Sequence, residues 1–165
     1  MEKRVTIGRA TAAFLGLLML TSLPWPGKGQ EPAEARRTGE HRIPFLVRDG
    51  AVYVQGRVNG SRVTLLLDTG AVWTTFNLKL VPTQGTGSRI MINMAKGTVP
   101  AVRLAVGFTL GESSVKEEHC SFRQEAIVGD FSFGAAGGVV GLDVLSSFKS
   151  VTFDFKNSVL ILEDR

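Results

Sequence analysis

The stretch VTLLLDTGAVWTTF, Val63 to Phe76, is apolar, breaks at Asp68-Thr69-Gly70 and turns apolar again. Three leucines running into a carboxylate pose a physical question. A carboxylate taken out of water is costly unless it is paired, hydrogen-bonded or protonated. Asp68 therefore either sits in an ordinary turn or is held at the edge of a core for chemistry. Asp and Gly are common turn residues, so the triplet decides nothing by itself. Its surroundings carry the reading.

Upstream, AVYVQGRV alternates, with Val52, Val54 and Val58 on one face and Tyr53, Gln55 and Arg57 on the other, as a half-buried strand does. Asn59-Gly60 follows, a dipeptide suited to a two-residue hairpin turn because both positions accept positive φ. RVTLLL then pairs back, and its continuous apolar character predicts burial on both faces. Trp73 to Phe76 forms another short apolar segment. Downstream, RIMINMA and TVPAVRLAV predict a hairpin with Lys96-Gly97 near its tip, and Pro100 predicts an edge or bent position because it lacks a backbone donor. GFTLGESSVKEEHCSF predicts a third hairpin around Gly111. In VGLDVLSSF, Leu142, Leu145 and Phe148 stand at helical spacing and predict a short helix. SVTFDF and VLILE close the chain as a last hairpin across Lys156-Asn157-Ser158. Many short strands with one short helix predict an all-β barrel or sandwich.

The chain has 165 residues, enough for one domain and an N-terminal extension. Lys3, Arg4 and Arg9 precede ATAAFLGLLMLTSL, an apolar run of signal-core length, which Pro24, Trp25 and Pro26 end. That run is shorter than the roughly 20 residues that cross a bilayer comfortably. Residues 1–26 are thus expected to be a signal peptide or an N-terminal membrane anchor, and the protein is expected to be exported, periplasmic or secreted. Ala33-Glu34-Ala35 fits a cleavage pattern but lies well downstream, so a cut leader and an uncut anchor both stay open. Residues 27–41 are polar, charged and aperiodic, which reads as a linker. Residues 42–165 are the folded domain.

That domain carries 13 Lys or Arg against 11 Asp or Glu, spread along the chain. Nucleic-acid binding requires clustered cations, so no nucleic-acid partner is expected. Cys120 is the single cysteine, which rules out an internal disulfide, and a buried inert thiol is expected there. His119 is its neighbour and, on a strand, points to the opposite face. His41 is the other histidine, so neither a Cys–His nucleophile nor a His/Cys metal site is expected. GAAGGVVG, Gly134 to Gly141, lacks both G-x-G-x-x-G and the Lys-Ser/Thr of a phosphate loop. Close backbone packing is the expected use of its glycines.

Taken together, VNGSRVTLLLDTGAVWTTF, INMAKGTVPAVRL and GVVGLDVLSSFKSVTFDFKNSVLIL resemble the retropepsin-like aspartic proteases, single-lobe relatives of pepsin. The resemblance spans nearly all of Ala51 to Leu162, and exported or membrane-anchored bacterial members look most similar. It implies the retropepsin-like acid-protease barrel with one short helix near the C-terminus. It also implies a homodimer that cleaves a peptide or protein substrate, with Asp68 as the catalytic residue from each subunit. In that chemistry two carboxylates share a proton across the axis, because like charges so close cannot both ionise. One acts as general base on a bound water while its protonated partner donates to the scissile carbonyl. No metal and no other cofactor is implied. Asp130, Asp143 and Asp154 are not followed by Thr-Gly or Ser-Gly, so one chain offers a single active turn. Asp143 is expected instead to start the helix, accepting backbone N–H bonds.

By the same resemblance Thr69 would buttress the paired turns, while Gly70 and Ala71 would let the backbone approach substrate. Ala95, Lys96 and Gly97 would form a flap tip that closes over the peptide. One departure stands out. Val72 and Trp73 follow the active turn where many relatives carry polar or acidic residues, and neither can accept a peptide N–H. They would fill an apolar subsite or pack on the partner subunit. The rival reading is a non-catalytic binding or assembly module on the same fold.

Overall fold

The computed structural model describes residues 4–6, 39–83, 85–94, 97–112 and 118–165. The described elements are β1 (Arg4–Thr6), β2 (Glu40–Arg48), β3 (Ala51–Val58), β4 (Ser61–Leu67), β5 (Thr75–Asn77), β6 (Ser88–Met94), β7 (Gly97–Leu110), β8 (Cys120–Gly129), β9 (Gly138–Val140), α1 (Leu142–Leu145), β10 (Ser150–Asp154) and β11 (Val159–Glu163). Most of the expected leader and linker lies outside the described residues. β2 starts at Glu40, inside the stretch read as linker, and β1 pairs with β10.

Local chemistry explains the turns. Asn59 and Gly60 have φ of 48° and 83° and join Val58 to its partner Ser61, as the dipeptide predicts. Asp49 and Gly50, at 52° and 76°, do the same between β2 and β3. β2 is not among the strands expected above, and Asp49-Gly50 is the signal that marks it. The last hairpin turns through residues 155–158, where the Asp154 carboxylate accepts the Asn157 backbone N–H at 3.1 Å and its side-chain amide at 2.7 Å.

The strands lie in the order β1-β10-β11-β2-β3-β4-β9-β5-β8-β7-β6, and β3 also pairs with β7. That extra pairing, Gly56–Val58 against Phe108–Leu110, closes β3, β4, β9, β5, β8 and β7 into a ring. Gly56 makes the closure sterically possible. A Cβ there would lie 2.1 Å from the Thr109 carbonyl oxygen. Inside the ring Val54, Val58, Leu65, Phe76, Val106, Phe108, Val128 and Val140 form the core with residues of β10 and β11. The rings of Phe108 and Phe122 stack at 4.8 Å, and Phe76 meets Phe108 edge-on at 5.2 Å. Burying each such side chain contributes about 1.5–3 kcal/mol. Cys120 is buried in this core, as expected.

One expectation is corrected, and the expected short helix is present. β4 alternates: Val63, Leu65 and Leu67 face the core, while Thr64 and Leu66 are half-buried on the outer face. A barrel wall has one inside, so its apolar run does not mean burial on both sides. The helix is a single turn, and Leu142 is exposed while Val144, Leu145 and Phe148 are buried. Pro100 sits where β7 runs on beyond β8 and pairs with β6 alone, a two-stranded ribbon. Its missing donor matters least there.

Candidate active site

β4 and β9 run parallel, Leu65 beside Gly138 and Leu67 beside Val140, so they end side by side. The first runs into Asp68 and the second into Gly141. The Asp68 N–H donates to the Val140 carbonyl at 3.1 Å, which pins the carboxylate-bearing residue to the core. The Ala71 N–H returns to the Asp68 carbonyl at 3.2 Å, closing the turn. Asp68 Oδ1 accepts the Gly70 N–H at 2.8 Å, which fixes how the carboxylate is aimed. Asp68, Thr69 and Gly70 are all exposed, with Ala71 half-buried. The carboxylate is thus not dehydrated within its own chain. It is held by rigid backbone and presented outward.

Just beneath, α1 grips the residues that follow the turn. The Leu142 N–H donates to the Ala71 carbonyl at 2.8 Å and the Asp143 N–H to the Val72 carbonyl at 3.2 Å. The Gly141 N–H donates to Thr74 Oγ1 at 3.1 Å. In return the Asp143 carboxylate accepts the Thr74 N–H, 2.9 Å from each oxygen, and the Thr74 hydroxyl at 2.7 Å. Gln124 Nε2 donates to its other side at 3.2 Å. Gly141 is required by this approach, since a Cβ would lie 2.8 Å from the Ala71 carbonyl oxygen.

Asp143 therefore does accept backbone N–H groups, but its role differs from the expected one. The N-cap is Gly141, with no side-chain cap. Within the helix Asp143 takes the Val144 N–H at 3.0 Å, and its main partner is Thr74, 69 residues earlier. Thr74 is fully buried. Neither Thr74 nor Gln124 carries a sequence signal, because an isolated threonine or glutamine fits any strand.

A crystal structure of a retropepsin-like aspartic protease from Rickettsia conorii matches with a TM-score of 0.51 at 20% identity, over 80% of this chain and 96% of that one. The chain has the retropepsin-like fold. No protein-family model and no curated protein matches the sequence.

Within this retropepsin-like fold, Asp68 to Trp73 form one contiguous surface. Val72 is 62% and Trp73 38% exposed, so the two residues that follow Ala71 face outward beside the turn. The hairpin expected from RIMINMA and TVPAVRLAV forms as the β6–β7 ribbon. Ala95 and Lys96 lie outside the described residues, and Gly97, with φ of 124°, pairs with Met94 across the tip. Arg103, farther along β7, lays its guanidinium 4.9 Å from the centre of the Trp73 ring and ties the ribbon to the turn.

Proposed function

We propose that this chain is an aspartic endopeptidase of retropepsin type, active as a homodimer with one Asp68 from each subunit. The observation that carries the reading is the presentation of Asp68. It is fixed by the Val140 carbonyl and the Gly70 N–H yet exposed, on a fold shared with a retropepsin-like aspartic protease. A two-fold axis through this surface brings two such carboxylates together. They share one proton, and the pair titrates as a unit. The ionised member takes a proton from a bound water as that water attacks the scissile carbonyl, and the protonated member donates to the carbonyl oxygen. The roles reverse when the amine leaves. Thr69 is exposed beside Asp68, and among the described residues its hydroxyl has no hydrogen bond, which leaves it available to the partner turn.

The apolar leader supports export, with the catalytic domain outside the cytoplasm, released or held by its N-terminal segment. A second reading, a binding module that has lost catalysis, is favoured by Val72 and Trp73. Neither side chain can take a substrate backbone N–H.

The test is cleavage of a mixed peptide library between about pH 3 and 7, the range in which carboxylate dyads work. Asp68→Asn is expected to lower the rate by about 10²-fold to 10⁴-fold or more, as loss of a general base does. Its dimerisation and thermal unfolding should stay close to those of the parent chain. Equal cleavage by parent and variant overturns the proposal. Specific peptide binding without cleavage by either supports the binding module.

A further inference from the structure

The register of the ribbon puts a particular set of side chains on one face. Ser88, Ile90 and Ile92 of β6 stand opposite Arg103, Ala101 and Val99 of β7, and Ile127 of β8 stands opposite Arg103. Directly opposed residues share a face. The apolar members pack with Phe131 and Phe133 into a cluster separate from the barrel core. Arg103 ends this face, and its contact with Trp73 shows that the face is turned toward the active turn. An apolar floor with one cation at its rim therefore borders the candidate site.

The cation is incompletely satisfied. Arg103 Nε is buried and has no hydrogen-bond partner among the described residues. None of the described ion pairs includes Arg103. A buried donor without an acceptor is rare in folded proteins and calls for an explanation. Stacking on Trp73 occupies one face of the guanidinium and leaves the in-plane N–H groups of its two terminal nitrogens, which unlike Nε are not buried, to meet a carboxylate edge-on. The same geometry accounts for Trp73, whose ring holds the guanidinium in place.

We propose that Arg103 binds the carboxylate of an Asp or Glu side chain in the substrate peptide, within a few residues of the scissile bond. A neighbouring apolar side chain of the peptide rests on the partly buried Ile90, Ile92 and Val99. The inference rests on the protease reading and names its substrate class: peptides with an acidic residue beside an apolar one.

The experiment uses the full chain and pairs of fluorogenic peptides that differ only in Asp or Glu against Asn or Gln, scanned across the positions flanking the scissile bond. The readout is the acidic-to-neutral ratio of kcat/KM within each protein, which a general loss of activity does not alter. The parent chain is expected to prefer the acidic peptide about tenfold or more at one position, as a charge-assisted hydrogen bond implies. Arg103→Gln should bring that ratio to about one, and Arg103→Glu should shift preference to Lys or Arg peptides. A ratio near one for the parent, or a preference that survives both substitutions, overturns the inference while leaving the protease reading intact. If the parent chain cleaves nothing, the protease reading fails separately. Anisotropy of the labelled peptides then decides: Arg103-dependent binding of the acidic member supports the carboxylate site, and equal binding of both members overturns it.

Discussion

Asp68 and Asp143 are both carboxylates near the end of a strand, yet their surroundings give them opposite uses. Asp68 has one N–H partner, Gly70, and faces outward. Asp143 receives donors from Thr74, Gln124 and Val144 and so spends its acceptor capacity inside the chain. Asp143→Ala leaves the buried Thr74 N–H and hydroxyl without acceptors, and an expected destabilisation of about 2–3 kcal/mol follows. Asp143→Asn keeps one oxygen for Thr74, and Gln124 can rotate its amide to accept from the new one, so a smaller loss is expected. Urea unfolding of the two variants beside the parent measures the difference; equal losses would mean that the Thr74 clamp contributes little. Asp68 was legible as a candidate because its Thr-Gly neighbours and preceding leucines form a local pattern. The task of Asp143 was not, because the group it holds is remote in sequence and has no pattern of its own.

Among the elements, the hairpins follow from their turn residues. Asn59-Gly60 and Asp49-Gly50 have the dihedrals that their chemistry favours, and β3 places Val54 and Val58 inward as its alternation predicts. The faces of β4 and α1 were less legible. Leu66 and Leu142 are as apolar as their neighbours, and only the position of the barrel wall decides that they lie outward. Ring closure depends on the crossing of β3 and β7 at Gly56, a position whose importance no local rule announces. Gly56→Ala would push a methyl group into the Thr109 carbonyl and separate the strands. It is expected to destabilise the domain by at least about 2 kcal/mol. A shift in the denaturant midpoint reports this, and an unchanged midpoint would show that the crossing relaxes without loss.

At the scale of the whole molecule, one chain presents half of the proposed dyad. Val72, Trp73 and Leu142 lie exposed near the same turn, an apolar rim suited to a two-fold partner. The proposed dimer makes a quantitative prediction. When parent chain and Asp68→Asn are mixed at equal concentrations and exchange freely, only about a quarter of the dimers carry two intact turns, by random pairing. Activity should therefore fall to that fraction of an unmixed sample at the same total concentration. A fall to one half, the result of simple dilution, would point to independently active chains.

Short-range chemistry, legible along the chain, sets the hairpin turns, the alternation of β3, the burial of Cys120 and the singular Asp68-Thr69-Gly70 turn. Each depends on residues within a few positions of one another, where dihedral preference and apolar period act directly. Three-dimensional packing selects which face of β4 is interior, and it brings Gly56 to the ring closure, Asp143 to Thr74 and Arg103 over Trp73. Those outcomes depend on pairing between segments tens of residues apart. Register and barrel closure, set by the sum of core packing, choose these neighbours, and no single stretch of chain encodes that sum.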